Sequence, residues 1–271
     1  MNLNHLYAVI YITFMDGLRK KSIIGLIIFA AMMIMGGTLF MDFFGRDIGK
    51  ASIDYLFSIM WLCGFIFLLF HAVSACVLDD EHRNSLTALS RPISRNEYIT
   101  GTFIGLAILL GCLQLLLGIA SYGILQWVQE SIATRYFPYF SIYYFLLSVI
   151  GVILQQYLLL AVIVFFTTLL RGVFPVILAT ISYQLIGSGI PVVRKSIQQT
   201  LETDHSGHSS QNFMQVLAAF FPDLNQLDFK NLITTPFLHI EHLGLSLLSI
   251  TIYICIILGL ACFIYSKKDL Y

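Results

Sequence analysis

The sequence predicts an all-α integral membrane protein with six transmembrane helices. Three observations carry that reading: a scarcity of charge, apolar runs of bilayer length, and basic residues gathered between those runs. Of 271 residues, 58% are hydrophobic and 11% charged, split evenly between 15 Lys+Arg and 15 Asp+Glu. Soluble domains carry about 25% charged residues. A water-soluble domain of this length would lack the charge to cover its surface, and the mean hydropathy of +0.84 points to lipid as the solvent. The zero net charge supplies no basic field for nucleic acid, so no nucleic-acid partner is expected.

A helix needs about 20 apolar residues to cross the hydrocarbon core. Six stretches reach that scale: Ile23–Met41, Tyr55–Leu78, Gly101–Val128, Ile142–Leu170, Val173–Ile190 and Leu243–Tyr265. The fifth is bracketed by Pro175 and Pro191. Ahead of the first span, residues 1–21 place Leu3, Leu6, Ile10, Phe14 and Leu18 at helical spacing, which predicts an interfacial helix on the inner leaflet. Residues 79–100 form a charged connection between spans two and three. Residues 191–242 form the longest loop.

The basic residues orient the chain. With the N-terminus cytoplasmic, Arg19, Lys20, Lys21, Arg83, Arg91, Arg95, Arg171, Lys267 and Lys268 fall inside, against Arg46, Lys50, Arg135, Arg194, Lys195 and Lys230 outside. The positive-inside bias therefore predicts both termini in the cytoplasm and the 191–242 loop outside.

The spans themselves argue against several chemistries. None carries Asp, Glu, Lys or Arg well inside it, which disfavours a proton- or sodium-coupled carrier. His71 has no second intramembrane histidine to make a bis-His haem site. Neutral polar residues remain: Gln114, Gln155, Gln156, Tyr183 and Gln184, as glue between helices or facing a path. Gly101-x-x-x-Gly105 has the spacing that lets two helices approach closely. The string Gly45-Arg46-Asp47-Ile48-Gly49-Lys50-Ala51 falls one residue short of a phosphate-binding loop and has Ala51 where Ser or Thr is required. Nucleotide hydrolysis by this chain is not expected. His205, His208, His239 and His242 make two H-x-x-H pairs in the outer loop, a spacing able to share a metal ion if helical and equally that of a solvated loop.

The segment Glu81-His82-Arg83-Asn84-Ser85-Leu86-Thr87-Ala88-Leu89-Ser90-Arg91-Pro92-Ile93-Ser94-Arg95-Asn96-Glu97-Tyr98 resembles the cytoplasmic connection of ABC-2 type permeases, the membrane subunits of ATP-binding-cassette transporters. Leu89–Arg95 carries most of the likeness. Phe14–Lys21 is similar to the family's N-terminal elbow helix, and Phe263–Leu270 to its aromatic and basic ending. Within the family the plan is most similar to permeases of the nitrous-oxide-reductase-maturation and gliding-motility type. The resemblance treats 1–271 as one ABC-2 type transmembrane domain in the inner membrane of a prokaryote. It implies a non-enzymatic permease moving a substrate with ATP hydrolysed elsewhere. Two copies of an ABC ATPase subunit would bind the ATP and Mg, so no cofactor is expected on this chain. A second permease copy and membrane lipid complete the implied partners, with room for an extracytoplasmic accessory protein. The alternative is a membrane-embedded enzyme or metal-binding assembly factor using the outer-loop histidines.

On that resemblance, residues 79–92 become a coupling helix docked on the ATPase. Asp79, Asp80 and Glu81 stand at its N-terminal side, Leu86 and Leu89 present an apolar edge, and Arg83 and Arg91 pair across the contact. Pro92 stops it, and Ser94-x-x-Glu97 is a capping box that starts the next helix. Phe67, His71, Ser74, Tyr183 and Gln184, on spans two and five, are the expected lining of a substrate path.

Overall fold

Apolar residues face both inward and outward, as a protein solvated by lipid requires. The structure, a computed structural model, describes residues 3–40, 48–81, 94–131, 140–203, 229, 230, 233 and 243–267. All of the regular elements among them are helical. In chain order they are α1 (Leu3–Arg19), α2 (Lys21–Phe40), α3 (Ile48–Ile66), a π-helical stretch Phe67–Ala72, α4 (Val73–Glu81), α5 (Arg95–Ser131), α6 (Ile142–Leu169), α7 (Val173–Thr203) and α8 (Leu243–Lys267). Among the described residues, four helices are long and apolar enough to cross a membrane: Ile48–Val77, Arg95–Ser131, Ile142–Leu169 and Gly244–Lys267. Ile23–Gly37 in α2 and Val173–Gly189 in α7 are apolar but shorter. They sit in longer helices, α2 of 20 residues and α7 of 31.

The core lies where α3, α5 and α6 meet. Leu56, Met60, Leu68, Leu106, Leu110 and Leu158 are completely enclosed there. Met35, Leu116, Ile119, Tyr143, Leu178, Leu245 and Phe263 point outward instead, as lipid-facing side chains do. Several Ser and Thr within the helices hold their hydroxyls on the preceding turn, as Ser52 does on Ile48 O at 2.6 Å and Thr180 on Val176 O at 2.8 Å, whereas the buried hydroxyls of Thr102 and Ser121 make no hydrogen bond. That local bond lets a hydroxyl sit in an apolar helix without an orphaned donor.

Neighbouring long helices run in alternating directions. Tyr55 Oη donates to Met33 O at 2.6 Å and its ring covers Gly37, while Leu26 lies near Phe67, so α2 runs antiparallel to α3. Met60 approaches Gly118 and Ile48 packs near Val128, which sets α3 antiparallel to α5. Gly118 contacts Val149, and Gly111 contacts Tyr157, so α6 returns against α5. Gly172, at φ 95°, makes the turn from α6 to α7. That left-handed conformation costs glycine nothing and strains any other residue. Arg95 Nη1 donates to Ser266 O at 3.2 Å, joining the start of α5 to the end of α8.

Three boundaries differ from the sequence reading. The second apolar helix starts at Ile48, not Tyr55. Asp54 is accommodated within it by an ion pair with Lys230 at 3.4 Å, both side chains reaching solvent-accessible surface. α5 starts at Arg95, where the Ser94–Glu97 capping box places it, but runs beyond Val128 to Ser131, 37 residues and about 55 Å of helix, so it extends well past one bilayer core. α7 continues through Pro191 to Thr203, so residues 191–203 are helix where a loop was expected. An interior proline costs one backbone bond and crowds the carbonyl four residues back; here that residue is Gly187.

Candidate functional site

Two features of the interior carry polar chemistry. The first is a knot of amides. Gln114 of α5 donates through Nε2 to Gln156 Oε1 at 2.8 Å and to Met60 O at 2.9 Å. Gln156 of α6 donates through Nε2 to Trp61 O at 3.3 Å and to Met60 O at 3.5 Å. Both side chains are fully buried. Gly64 makes room for them: a methyl at that position would run into the Gln156 amide. Three helices are thus tied by groups that would be costly to strand in an apolar interior. Of the neutral polar residues picked out in the sequence, Gln114 and Gln156 join helices.

The second feature is centred on His71. The π-helical stretch inserts an extra residue into the turn, marked by the Val73 N–H donating to Leu68 O. Phe67 and His71 stack there with ring centroids 4.9 Å apart. His71 is almost fully buried, beneath Gly17 of α1, whose added Cβ would lie 3.3 Å from His71 Nε2. π-helical insertions of this kind recur at functional sites because they re-aim side chains without ending the helix. A groove of about 290 Å³ opens beside it, between α2 and the π-helical stretch, lined by Leu26, Phe29, Ile66, Phe67, Phe70 and His71 among others.

The expected path residues separate into two places. Phe67 and His71 share the groove, and Ser74 hangs from the same turn, its Oγ donating to His71 O at 3.0 Å. Tyr183 and Gln184 lie on α7, with Tyr183 in electrostatic reach of Tyr253 on α8. Gln184 is buried with Oε1 lacking a hydrogen-bond partner. The groove at His71 is lined by neither Tyr183 nor Gln184.

The coupling segment is described only at its two ends. Asp79, Asp80 and Glu81 form the last turn of α4, not the first turn of a new helix. The N-terminal position expected for them in a helix beginning at 79 therefore does not hold. Arg83, Leu86, Leu89 and Arg91 lie outside the described residues, as do His205, His208, His239 and His242. Among the described residues no group of three His, Cys, Asp or Glu is placed to hold a metal ion. At the far end of the segment the capping box is formed: Ser94 N donates to Glu97 Oε2 at 3.1 Å and Glu97 N to Ser94 Oγ at 3.3 Å.

Sequence reasoning missed the neighbour of the Gly101-x-x-x-Gly105 pair. α1 occupies it, running parallel to α5 with Val9 on Gly101, Thr13 on Gly105 and Gly17 against Leu109. The four-residue repeat on both helices was the available signal. A second cavity, between Thr102, Thr168, Cys76 and Tyr265, went unnoticed because its lining comes from four helices. No family model matches this chain, and no curated protein matches it.

Proposed function

We propose that this chain is the membrane-spanning permease subunit of an ATP-binding-cassette transporter, moving its substrate with ATP hydrolysed on a separate subunit. The observation that carries the reading is the capped start of α5. The Ser94–Glu97 box fixes the first turn of a helix about 55 Å long, and Arg95 straps that turn to the end of α8. A force applied to residues 82–93 would act on a rigid, doubly anchored helix that reaches the amide knot at Gln114. The Leu89–Arg95 likeness to ABC-2 permeases supplies the identity of what would push there, an ATPase.

The same proposal takes α2 and α7 as spans, making six passes with both termini cytoplasmic in a prokaryotic inner membrane. The alternating directions of α2, α3, α5 and α6 support it, as does the placing of α8's end beside α5's start. A second copy of the chain completes the path. Copurification from the native membrane tests the proposal: an ATPase should accompany the permease. Leu86→Asp with Leu89→Asp should leave the permease inserted but abolish ATPase binding or uncouple hydrolysis from transport. An intact complex with coupled transport in that variant would sink it.

A further inference from the structure

The groove beside His71 has an apolar floor and a basic mouth. Leu26 and Phe29 of α2 form one wall, and Ile66, Phe67 and Phe70 the other. Gly25 lies along the same edge without a side chain, and a methyl there would meet nothing within 4 Å. Its roughly 290 Å³ sits at the low end of the range for ligand pockets, and its wall is almost wholly apolar. Phe70 is largely exposed, so the groove opens sideways, toward the lipid-facing surface of α2.

The mouth is set by one continuous run of backbone bonds. Lys20 N donates to Gly17 O at 3.2 Å, and Ile23 N donates to Lys20 O at 3.2 Å. Gly17 touches His71, and Ile23 lines the groove. Lys20 therefore stands between these two contacts, and Arg19 precedes it; both side chains are exposed. Lys21 follows at the first position of α2. Asp16, one turn earlier, is the acid nearest in sequence, so the bend from α1 to α2 keeps a net positive charge. On the outer face of α1, Tyr7 and Tyr11 are exposed at 69% and 53%, four residues apart. Exposed tyrosines at this spacing suit the headgroup depth of a bilayer.

We propose that this groove binds one anionic phospholipid, with an acyl chain between α2 and the π-helical stretch and the phosphate at Arg19 and Lys20. Charge complementarity selects the headgroup, and the sideways opening selects a lipid over a water-soluble anion. The bound lipid would brace the bend from α1 to α2 and cover the groove side of the Phe67–His71 pair. The site stands on these contacts alone and is independent of the permease reading.

The test uses the full-length protein reconstituted in nanodiscs of equal phosphatidylglycerol and phosphatidylcholine. After detergent extraction, native mass spectrometry counts the lipids retained. Two basic residues at about 1 kcal/mol each near a bilayer surface predict a retained phosphatidylglycerol-to-phosphatidylcholine ratio about thirtyfold above the bulk ratio of one. Arg19→Gln with Lys20→Gln should return the ratio to that of the bulk at an unchanged melting temperature. Leu26→Trp, which fills the groove, should reduce retention of the same lipid with the basic residues intact. Equal retention of both lipids by the unmodified protein would overturn the proposal. So would enrichment that survives the Arg19/Lys20 change, or that inorganic phosphate abolishes while the acyl chain stays bound.

Discussion

Gln114 and Gln156 meet in the middle of the bundle, the Nε2 of the first donating across 2.8 Å to the Oε1 of the second. Neither amide can reach water, and each also donates to a backbone carbonyl of α3. The contact therefore binds three helices at one level. In an apolar bundle, association owes little to hydrophobic burial, because lipid tails are as apolar as leucine. Direct hydrogen bonds and close packing then decide which helices stay together.

Replacing either glutamine by leucine should destabilise the protein by about 1 kcal/mol, the net worth of such bonds. The double variant should cost less than the two singles together, with a coupling of about 0.5–2 kcal/mol. Unfolding of the four proteins in mixed micelles measures the cycle. Strict additivity would mean that the two amides do not act on each other.

Close approach of α1 to α5 depends on Gly101 and Gly105. A Cβ at Gly105 would stand 2.8 Å from Thr13 Cβ and 3.1 Å from Ile10 O. Gly105→Ile should lower stability by about 1–3 kcal/mol through overpacking. Gly123→Ile, at a position with nothing within 4 Å, serves as control and should be nearly silent. Thermal melting in detergent would reveal the contrast, and equal effects at both positions would refute it.

The capping box makes a graded prediction. Ser94→Ala should cost about 1 kcal/mol at the start of α5. Glu97→Ala should do the same, whereas Glu97→Gln keeps an acceptor for Ser94 N and should be milder. Amide hydrogen exchange across residues 95–98 is the readout, with roughly fivefold faster exchange expected for the alanine variants. An unchanged rate in Glu97→Ala would remove the box from any account of coupling.

The proposed topology is open to labelling. On a cysteine-free background, cysteines placed at Ser131, the end of α5, and at Ser206 should react with a membrane-impermeant reagent only from outside the cell. Reaction of either from the cytoplasmic side would reverse the orientation.

Much of this architecture is written in residue type. The uncharged run from Ile142 and the one closed by Lys267 have the length and apolarity of membrane-crossing helices, whose backbone groups must bond internally, and α6 and α8 match them closely. Ser94 and Glu97 cap α5 because that device needs only two side chains three residues apart. The sequence also marks Gly101 and Gly105 as a place of close approach.

Which partner fills each space is a different matter. Nothing local to Gly101 says that α1 lies on it, that Gly17 shields His71, or that Gly64 clears room for Gln156. Nor does the sequence show that Phe67 and His71 turn toward α2 while Tyr183 lies toward α8. The far ends of α5 and α7, at Ser131 and Thr203, escaped too. Composition and period determine that these segments are helices and which are apolar, because those properties depend on single residues and near neighbours. Facing, register and enclosure were decided only in the tertiary structure, where shape and hydrogen-bond satisfaction couple residues from separate helices.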